Sequence, residues 1–495
     1  MRAIRIHEND NVAVALELIP AATVCSVGGM QILVTEDIPM GHKFAITDIP
    51  QGGTIIKYGW PIGHAVCGIA RGAHVHTNNL HTNLDQSAQL RPEGSNLQQV
   101  PAPSEVQTFQ GFLREDGRAA TRNEIWILPT VGCVNQIAAK LAEKASASLL
   151  SGSLEGIYAF EHPYGCSQLG NDHENMRNLL LALADHPNAA GVLFVGLGCE
   201  NNQISGIREA MHGRKDGYID YLICQDVNDE VEAGMQLLQR LAEMVKHVSR
   251  TEIPVQKLIV GLKCGGSDGL SGITANCVLG AVSDNLSDAG AAVAMTEIPE
   301  TFGAEKCLFS RCADHSVAEE LCRLINQYKM YYQFYGLPVY ENPSPGNKSG
   351  GITTLEEKSL GCVQKSGRRA IVQVLRYAKP VLHTGVNVIS APGNDLVSMT
   401  ALAAAGAQII LFTTGRGTPA GAPVPTIKVS TNEQLARKKQ AWIDFDASVI
   451  LRDETVDACT QRMIALLLQV AGGKRTCNEK NGNRQIAIFK NGVTL

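Results

Sequence analysis

Short apolar stretches alternate with polar ones along the first 85 residues, and most end within a few positions of a glycine. Residues 3–6, 23–26, 32–34, 54–57 and 74–76 have the patterning of strands. Three phrases recur between them: Asp37-Ile38-Pro39-Met40-Gly41, Asp48-Ile49-Pro50-Gln51-Gly52 and Gly68-Ile69-Ala70-Arg71-Gly72. Each sets an aliphatic residue before a turn glycine, so residues 1–85 are expected to form a small all-β module of hairpins and arches. From Leu84 to about Gln110 the chain turns polar and loses periodicity, and residues 86–115 are expected to be a linker.

Beyond Arg118 the pattern changes to apolar runs followed by amphipathic stretches: 125–131 then 134–150, 156–160 then 172–184, 191–196 then 203–211, and 221–225 then 228–247. Strands alternating with helices imply right-handed crossovers and a largely parallel sheet. After Pro254 further strands are expected at 257–262, 291–296, 386–390, 408–413 and 426–429. The expected fold is therefore α/β multidomain: a small N-terminal all-β module and two α/β lobes with largely parallel sheets, over residues 116–253 and 254–495. The run 341–351 is too rich in proline and glycine for helix or strand, and a loop of that length in a compact enzyme is more often functional than accidental.

Composition narrows the setting. With 44% hydrophobic and 18% charged residues the chain reads as globular, and a net charge of -5 offers no footprint for nucleic acid. No apolar run reaches the roughly 18 residues of a membrane span, and the N-terminus lacks the pattern of a secretory signal. Fourteen cysteines without an export signal point to a reducing compartment, by default the cytoplasm.

Those thiols are the main chemical signal. Cys133, Cys166 and Cys199 follow glycine near expected strand ends, Cys264 closes another apolar run, and Cys362 completes a further Gly-Cys pair. In open α/β sheets the loops leaving the carboxyl ends converge on a ligand crevice. A soft metal or a cluster is the expectation there, although free cysteine is also a common core residue. His74 and His76, two apart on one expected strand, project to the same face and are candidate metal ligands beside nearby His81. His162 lies in the loop before Cys166. The glycine runs at 196–202 and 265–272 place Glu200, Ser267 and Asp268 where an anionic substrate would meet backbone N–H groups. Arg416, between Gly415 and Gly417 after an expected strand, suits a bidentate carboxylate clamp. Asn347 and Lys348 sit in the Pro/Gly-rich run.

Long blocks of the sequence, among them GHKFAITDI, LPTVGCVN, HPYGCSQLG, GLGCENNQ, CGGSDGLSGITAN, ENPSPGNKSGGITTLEEKSLGC and FTTGRGTP, resemble the altronate and galactarate dehydratase family across essentially the full length. The resemblance implies a hydro-lyase that removes water from a sugar acid, D-altronate giving 2-dehydro-3-deoxy-D-gluconate, with an N-terminal SAF-like module. It also implies dependence on Fe²⁺, with Mn²⁺ as a substitute and an iron–sulfur cluster as the rival form. Under it His74, His76, Cys133, Cys166 and Cys199 are the metal-ligand pool. His162 or Lys348 is the general base, and Glu200, Ser267, Asp268, Asn347 and Arg416 hold substrate. A homo-oligomer acting on a small sugar acid is expected, with no nucleic-acid or membrane partner. Another aldonate or aldarate such as galactarate, elimination of a different β-leaving group, and a non-catalytic sugar-acid-binding protein are the alternatives.

Overall fold

A computed structural model of the chain describes residues 2–85, 107–215 and 217–494. In the N-terminal module the isoleucines of the recurring phrases are all bridged, Ile49 to Ile69 within the set and Ile38 to Ile19 of the preceding Leu18-Ile19-Pro20 run. These side chains are buried, and around them short strands pair into three small antiparallel sheets. One of these sheets pairs Lys43–Ala45 with His74–Val75, which draws the GHK turn to the strand that carries the two expected imidazoles. Of the expected linker, residues 86–106 lie outside the described residues. Its end is not linker: Thr108–Leu113 is a strand, paired antiparallel with Thr251–Pro254.

The first lobe carries a four-stranded sheet, parallel throughout, in the order Gly156–Ala159, Glu124–Pro129, Ala189–Gly196, Ile219–Ile223. Chain order therefore reverses between Glu124–Pro129 and Ala189–Gly196, the switch point of such a sheet. The second lobe has seven parallel strands in the order Ile371–Leu375, Gly385–Ile389, Ala292–Met295, Ile259–Cys264, Ile409–Thr414, Thr426–Ser430, Phe445–Asp446. Its switch point falls between Ile259–Cys264 and Ile409–Thr414. The parallel architecture of both lobes matches the sequence reading.

Two strands of the second sheet were not expected from the pattern, and both lie at sheet edges. Ile371–Leu375 is half-buried through its middle and carries a glutamine, which dilutes the apolar run that marks a central parallel strand. Phe445–Asp446 is too short to register as a period. The Pro/Gly-rich run also departs from expectation. Residues Pro345–Ser349 form a short helix, because Ser344 and Asn347 make a reciprocal capping box and Pro345 occupies the first turn.

The two lobes share one apolar core in which Trp126, Phe160, Met176 and Phe194 meet Met399, Leu402, Ile410 and Phe412. The C-terminal segment binds them further through buried ion pairs, Arg122 with Glu479 at 2.6 Å and Arg484 with Glu124 at 2.7 Å. Burial works to raise the Glu479 carboxyl, but the hydrogen bond and charge of Arg122 outweigh it and hold it below its usual value. A depressed carboxyl contributes stability above its unfolded pKa and loses it as pH falls. Arg122→Ala is expected to lower stability by about 3–5 kcal/mol at pH 7, read as a lower Tm, because it leaves a buried carboxylate unpaired. The difference from wild type should shrink below about pH 4, toward protonation of Glu479.

Candidate functional site

The β module meets the second lobe where three backbone segments come too close for any side chain. A Cβ at Gly269 would stand 1.8 Å from the Gly41 carbonyl oxygen, and one at Gly351, whose φ is 99°, would stand 2.3 Å from the same atom. Glycine is required at both positions. The Gly41-His42 turn is thereby seated between the loops 265–272 and 346–353. Those loops are themselves joined, as Gly269 N–H donates to the Gly350 carbonyl at 2.7 Å and the Asn347 side-chain amide donates to the Ser267 carbonyl at 2.8 Å.

Three imidazoles converge at this junction. The register that pairs Phe44 with His74 and Lys43 with Val75 sets His42 beside His76. Donor atoms of His42, His74 and His76 all lie within 4.8 Å of one another, and Nδ1 of His42 faces Nε2 of His74 at 3.0 Å. The outer ring atoms are held from the lobe. Nε2–H of His42 donates to the Ser349 carbonyl at 3.3 Å, which leaves its Nδ1 lone pair pointing inward. Nδ1 of His76 lies 2.9 Å from the Thr353 hydroxyl, which also accepts from Lys43 Nζ at 2.6 Å. When Thr353 accepts from both, His76 has its proton on Nδ1 and Nε2 is free to donate to a metal. Burial, helped by neighbouring positive charge, pushes His74 and His76 down to about 4 and lowers His42 as well. All three are neutral near pH 7, the form in which imidazole binds a metal. The residues present thus fit one divalent ion with nitrogen ligands.

Beneath the imidazoles Glu357 is fully buried between two lysines of the module, 2.8 Å from Lys43 and 2.8 Å from Lys57. Burial alone would raise the Glu357 carboxyl, but the two ammonium charges hold it at about 2. Burial brings Lys43 down to about 8, whereas the charge of Glu357 keeps Lys57 above its usual value against the same desolvation.

The remaining expected residues divide between two places. Lys348 is half-buried, next to Ser349, and its ammonium has no hydrogen bond or ion pair with any described residue. Arg416 is exposed at the end of the strand Ile409–Thr414, its backbone N–H held by the Gly266 carbonyl at 2.9 Å and its guanidinium without a partner among the described residues. Both side chains are free to meet a ligand. Ser267, Asp268 and Asn347 belong to the same junction, where each is bonded to neighbouring protein groups. The Asp268 carboxylate accepts from Ser271, Thr431 and Asn432 at 2.9–3.0 Å, and the Ser267 hydroxyl lies 3.1 Å from Cys264 Sγ. The Asn347 amide joins the two loops through the Ser267 carbonyl.

Glu200 and His162 are corrected in the same sense, and both lie in the first lobe. The Glu200 carboxylate closes its own loop, accepting from Thr130 at 2.6 Å and from the N–H groups of Leu197 and Gly198 at 3.1 and 2.6 Å. His162 is buried with Nε2–H donating to the Pro129 carbonyl at 2.7 Å and Nδ1 accepting from Tyr164 N–H at 3.2 Å. With both nitrogens on backbone groups it positions the loop and is not a free base. Cys133, Cys166 and Cys199 are exposed on that lobe and do not join the imidazole group, so the expected mixed nitrogen and sulfur site is not formed.

His42 and the Lys43–Glu357–Lys57 bridge were not singled out from the sequence. The only signal was the GHK run, and its meaning depends on a register between strands some thirty residues apart. A second donor group, Glu297, Glu300 and Cys362, lies buried in the second lobe. Lysines already neutralise it: Lys365 is 2.9 Å from Glu297 and 2.8 Å from Cys362 Sγ, and Lys358 is 2.9 Å from Glu300. A cleft of about 340 Å³ on the first lobe is lined by Arg114, Lys215 and Tyr218. Its two cations are spent on backbone carbonyls and Asn123, and it contains none of the imidazoles.

Comparison with known proteins covers the chain in three consecutive matches. A family model for the altronate/galactarate dehydratase SAF domain matches residues 1–83, one for the D-galactarate dehydratase/altronate hydrolase second domain matches 111–246, and one for the D-galactarate/altronate dehydratase C-terminal region matches 255–494. The altronate dehydratase of Escherichia coli (strain K12) is 47% identical, covering 100% of both chains, and that of Bacillus subtilis (strain 168) is 47% identical over 99% of both. The galactarate dehydratase (L-threo-forming) of Escherichia coli (strain K12) is 32% identical, over 98% of this chain and 96% of its own.

Because the junction leaves no room for a Cβ, Gly351→Ala is expected to cost roughly 2 kcal/mol or more, read as a lower Tm, from left-handed strain and the clash with Gly41. It should also shift Ser349 and Thr353 away from the imidazoles, so that a divalent ion titrated into the variant binds at least tenfold more weakly than in the wild type if the three rings hold it. Unchanged stability and metal affinity would show that the junction tolerates a side chain there.

Proposed function

The chain belongs to the altronate/galactarate dehydratase family, and from that premise we propose that it dehydrates D-altronate to 2-dehydro-3-deoxy-D-gluconate. The observation that carries this reading is the 47% identity to two altronate dehydratases along the full length of the chain, against 32% to the galactarate enzyme. It makes the protein a hydro-lyase. Fourteen free cysteines suit a reducing, cytoplasmic setting. Among the described residues no helix is long and apolar enough to cross a membrane.

The reaction removes the proton on C2, beside the carboxylate, and expels the hydroxyl on C3. Negative charge accumulates on the carboxylate side and on the leaving oxygen, and both must be stabilised. His42, His74 and His76 would hold Fe²⁺, or Mn²⁺ in its place, which when bound supplies Lewis acidity to the substrate oxygens. Arg416 offers a planar fork for the carboxylate from the mouth of the junction. Lys348, unpaired on the loop that holds His42, is the group assigned here to take the proton from C2. The Lys43–Thr353–His76 chain holds the His76 ring in place from the side of the second lobe.

Formation of 2-keto acid from D-altronate, with metal added or chelated, tests the assignment. His74→Ala and His76→Ala should each lose stoichiometric Fe²⁺ or Mn²⁺ binding and lower kcat at least 100-fold. Lys348→Ala should keep the metal and lower kcat by about 10²–10⁴-fold, while Arg416→Ala should act mainly on KM, raising it tenfold or more. Turnover of galactarate but not altronate would overturn the substrate, and wild-type metal content in both histidine variants would overturn the metal site.

A further inference from the structure

Each strand of the first lobe's sheet runs into a cysteine at or soon after its carboxyl end: Cys133 after Glu124–Pro129, Cys166 after Gly156–Ala159, Cys199 after Ala189–Gly196 and Cys224 directly after Ile219–Ile223. Three differ from the fourth. Cys133, Cys166 and Cys199 are exposed, whereas Cys224 packs against the lobe's core and burial pushes its thiol up to about 11. Free cysteine is ordinarily among the most buried residue types, so three exposed thiols on adjacent strands at a switch point call for a reason.

The loops bearing them are stitched together beside the thiols. Gly132 N–H donates to the Tyr164 carbonyl at 2.7 Å, Asn202 N–H to the Gly165 carbonyl at 3.1 Å, and Ser167 N–H to Asn201 Oδ1 at 3.0 Å. The Asn202 side-chain amide closes the set on the Thr130 carbonyl at 3.2 Å. At Gly165, with φ of 110°, a Cβ would stand 2.0 Å from the Thr130 carbonyl oxygen, so the first two loops are in backbone contact. Every one of the three thiols is within three residues of a bond to a neighbouring loop. Their side-chain contacts are weak ones, Ser167 Oγ at 3.8 Å from Cys166 and Gln225 Nε2 at 3.9 Å from Cys199.

We propose that Cys133, Cys166 and Cys199 are the three thiolate ligands of an iron–sulfur cluster, one iron of which has no ligand from this lobe's cysteines. A single ion is the poorer fit. One metal held by three thiolates at about 2.3 Å brings the sulfurs close together, yet among the described residues no group of donors within 4.8 Å of one another includes these three. A cluster spreads its thiolates over several irons and takes a wider spacing. The helices Asn135–Ser148, Gly170–Ala184 and Ile204–Met211 begin behind the three loops, and their N-terminal ends favour the negative charge of such a centre. Cys224, partly buried against the core, is not included as a fourth ligand. The site shares no residue with the imidazole group and does not rest on the assignment made there.

Protein isolated anaerobically, and apoprotein reconstituted with ferrous iron and sulfide, should contain about four acid-labile sulfides per chain. Cys133→Ser, Cys166→Ser and Cys199→Ser should each lower this at least tenfold, whereas Cys67→Ser, Cys224→Ser and His74→Ala should retain it. A reconstituted wild type with no labile sulfide, or serine variants that keep it, would overturn the proposal. Should a serine variant fold poorly, alkylation of the wild type decides: the three thiols are expected to resist iodoacetamide in the reconstituted protein and to react once iron is stripped. Equal reactivity in both forms would contradict the site. Loss of metal from His74→Ala with sulfide intact separates this centre from the imidazole one.

Discussion

One buried carboxylate determines how the β module sits on the α/β body. Glu357, from the helix Leu355–Val363, accepts ammonium groups from Lys43 and Lys57, and all three side chains are essentially inaccessible to water. Such a triad adds little net stability over an apolar contact of the same volume, but removing one member leaves an uncompensated charge and costs about 3–5 kcal/mol. Its effect is on geometry. Thr354, which caps the same helix, donates to the Ile62 carbonyl at 2.6 Å, and Thr82 donates to Glu356 at 2.8 Å, so the helix N-terminus binds the module by directed polar contacts. A shift of the module by one residue would break them together.

The consequences run directly to the chemistry. Lys43 follows His42 in the chain, and its ammonium also bonds Thr353, the partner of His76. The interaction that docks the module therefore also orients two imidazoles. The lobe supplies what the module lacks: the Ser349 carbonyl for His42, an unpaired Lys348, and Arg416 at a strand end beside the switch point of the seven-stranded sheet. Neither part alone carries both the three imidazoles and the groups that hold them.

Much of this was legible in the sequence, and the gaps have physical causes. Parallel strands buried on both faces appear as short apolar runs, so both α/β lobes could be read directly, while the diluted edge strand Ile371–Leu375 and the two-residue Phe445–Asp446 could not. That His74 and His76 lie together is readable because a strand repeats every two residues, and the exposed strand-end position of Arg416 because it stands between glycines after an apolar run. His42 was hidden, since only cross-strand register places it beside His76. The internal bonds of Glu200, Asp268, Asn347 and His162 are not legible in the sequence for a common reason. Polar residues in glycine loops look like ligand-binding groups, but a buried loop must satisfy its own backbone, and these side chains meet that need. Thiols and imidazoles looked like one ligand pool because sequence does not report that they belong to the ends of different sheets.

Docking of the module brings three neutral imidazoles together in a geometry that suits one divalent ion. Anomalous scattering at the manganese edge from crystals loaded with Mn²⁺ tests this most directly. The expected peak is bounded by His42 Nδ1, His74 Nε2 and the ring of His76. Full manganese occupancy elsewhere, with those three rings only hydrogen-bonded to one another, would contradict it.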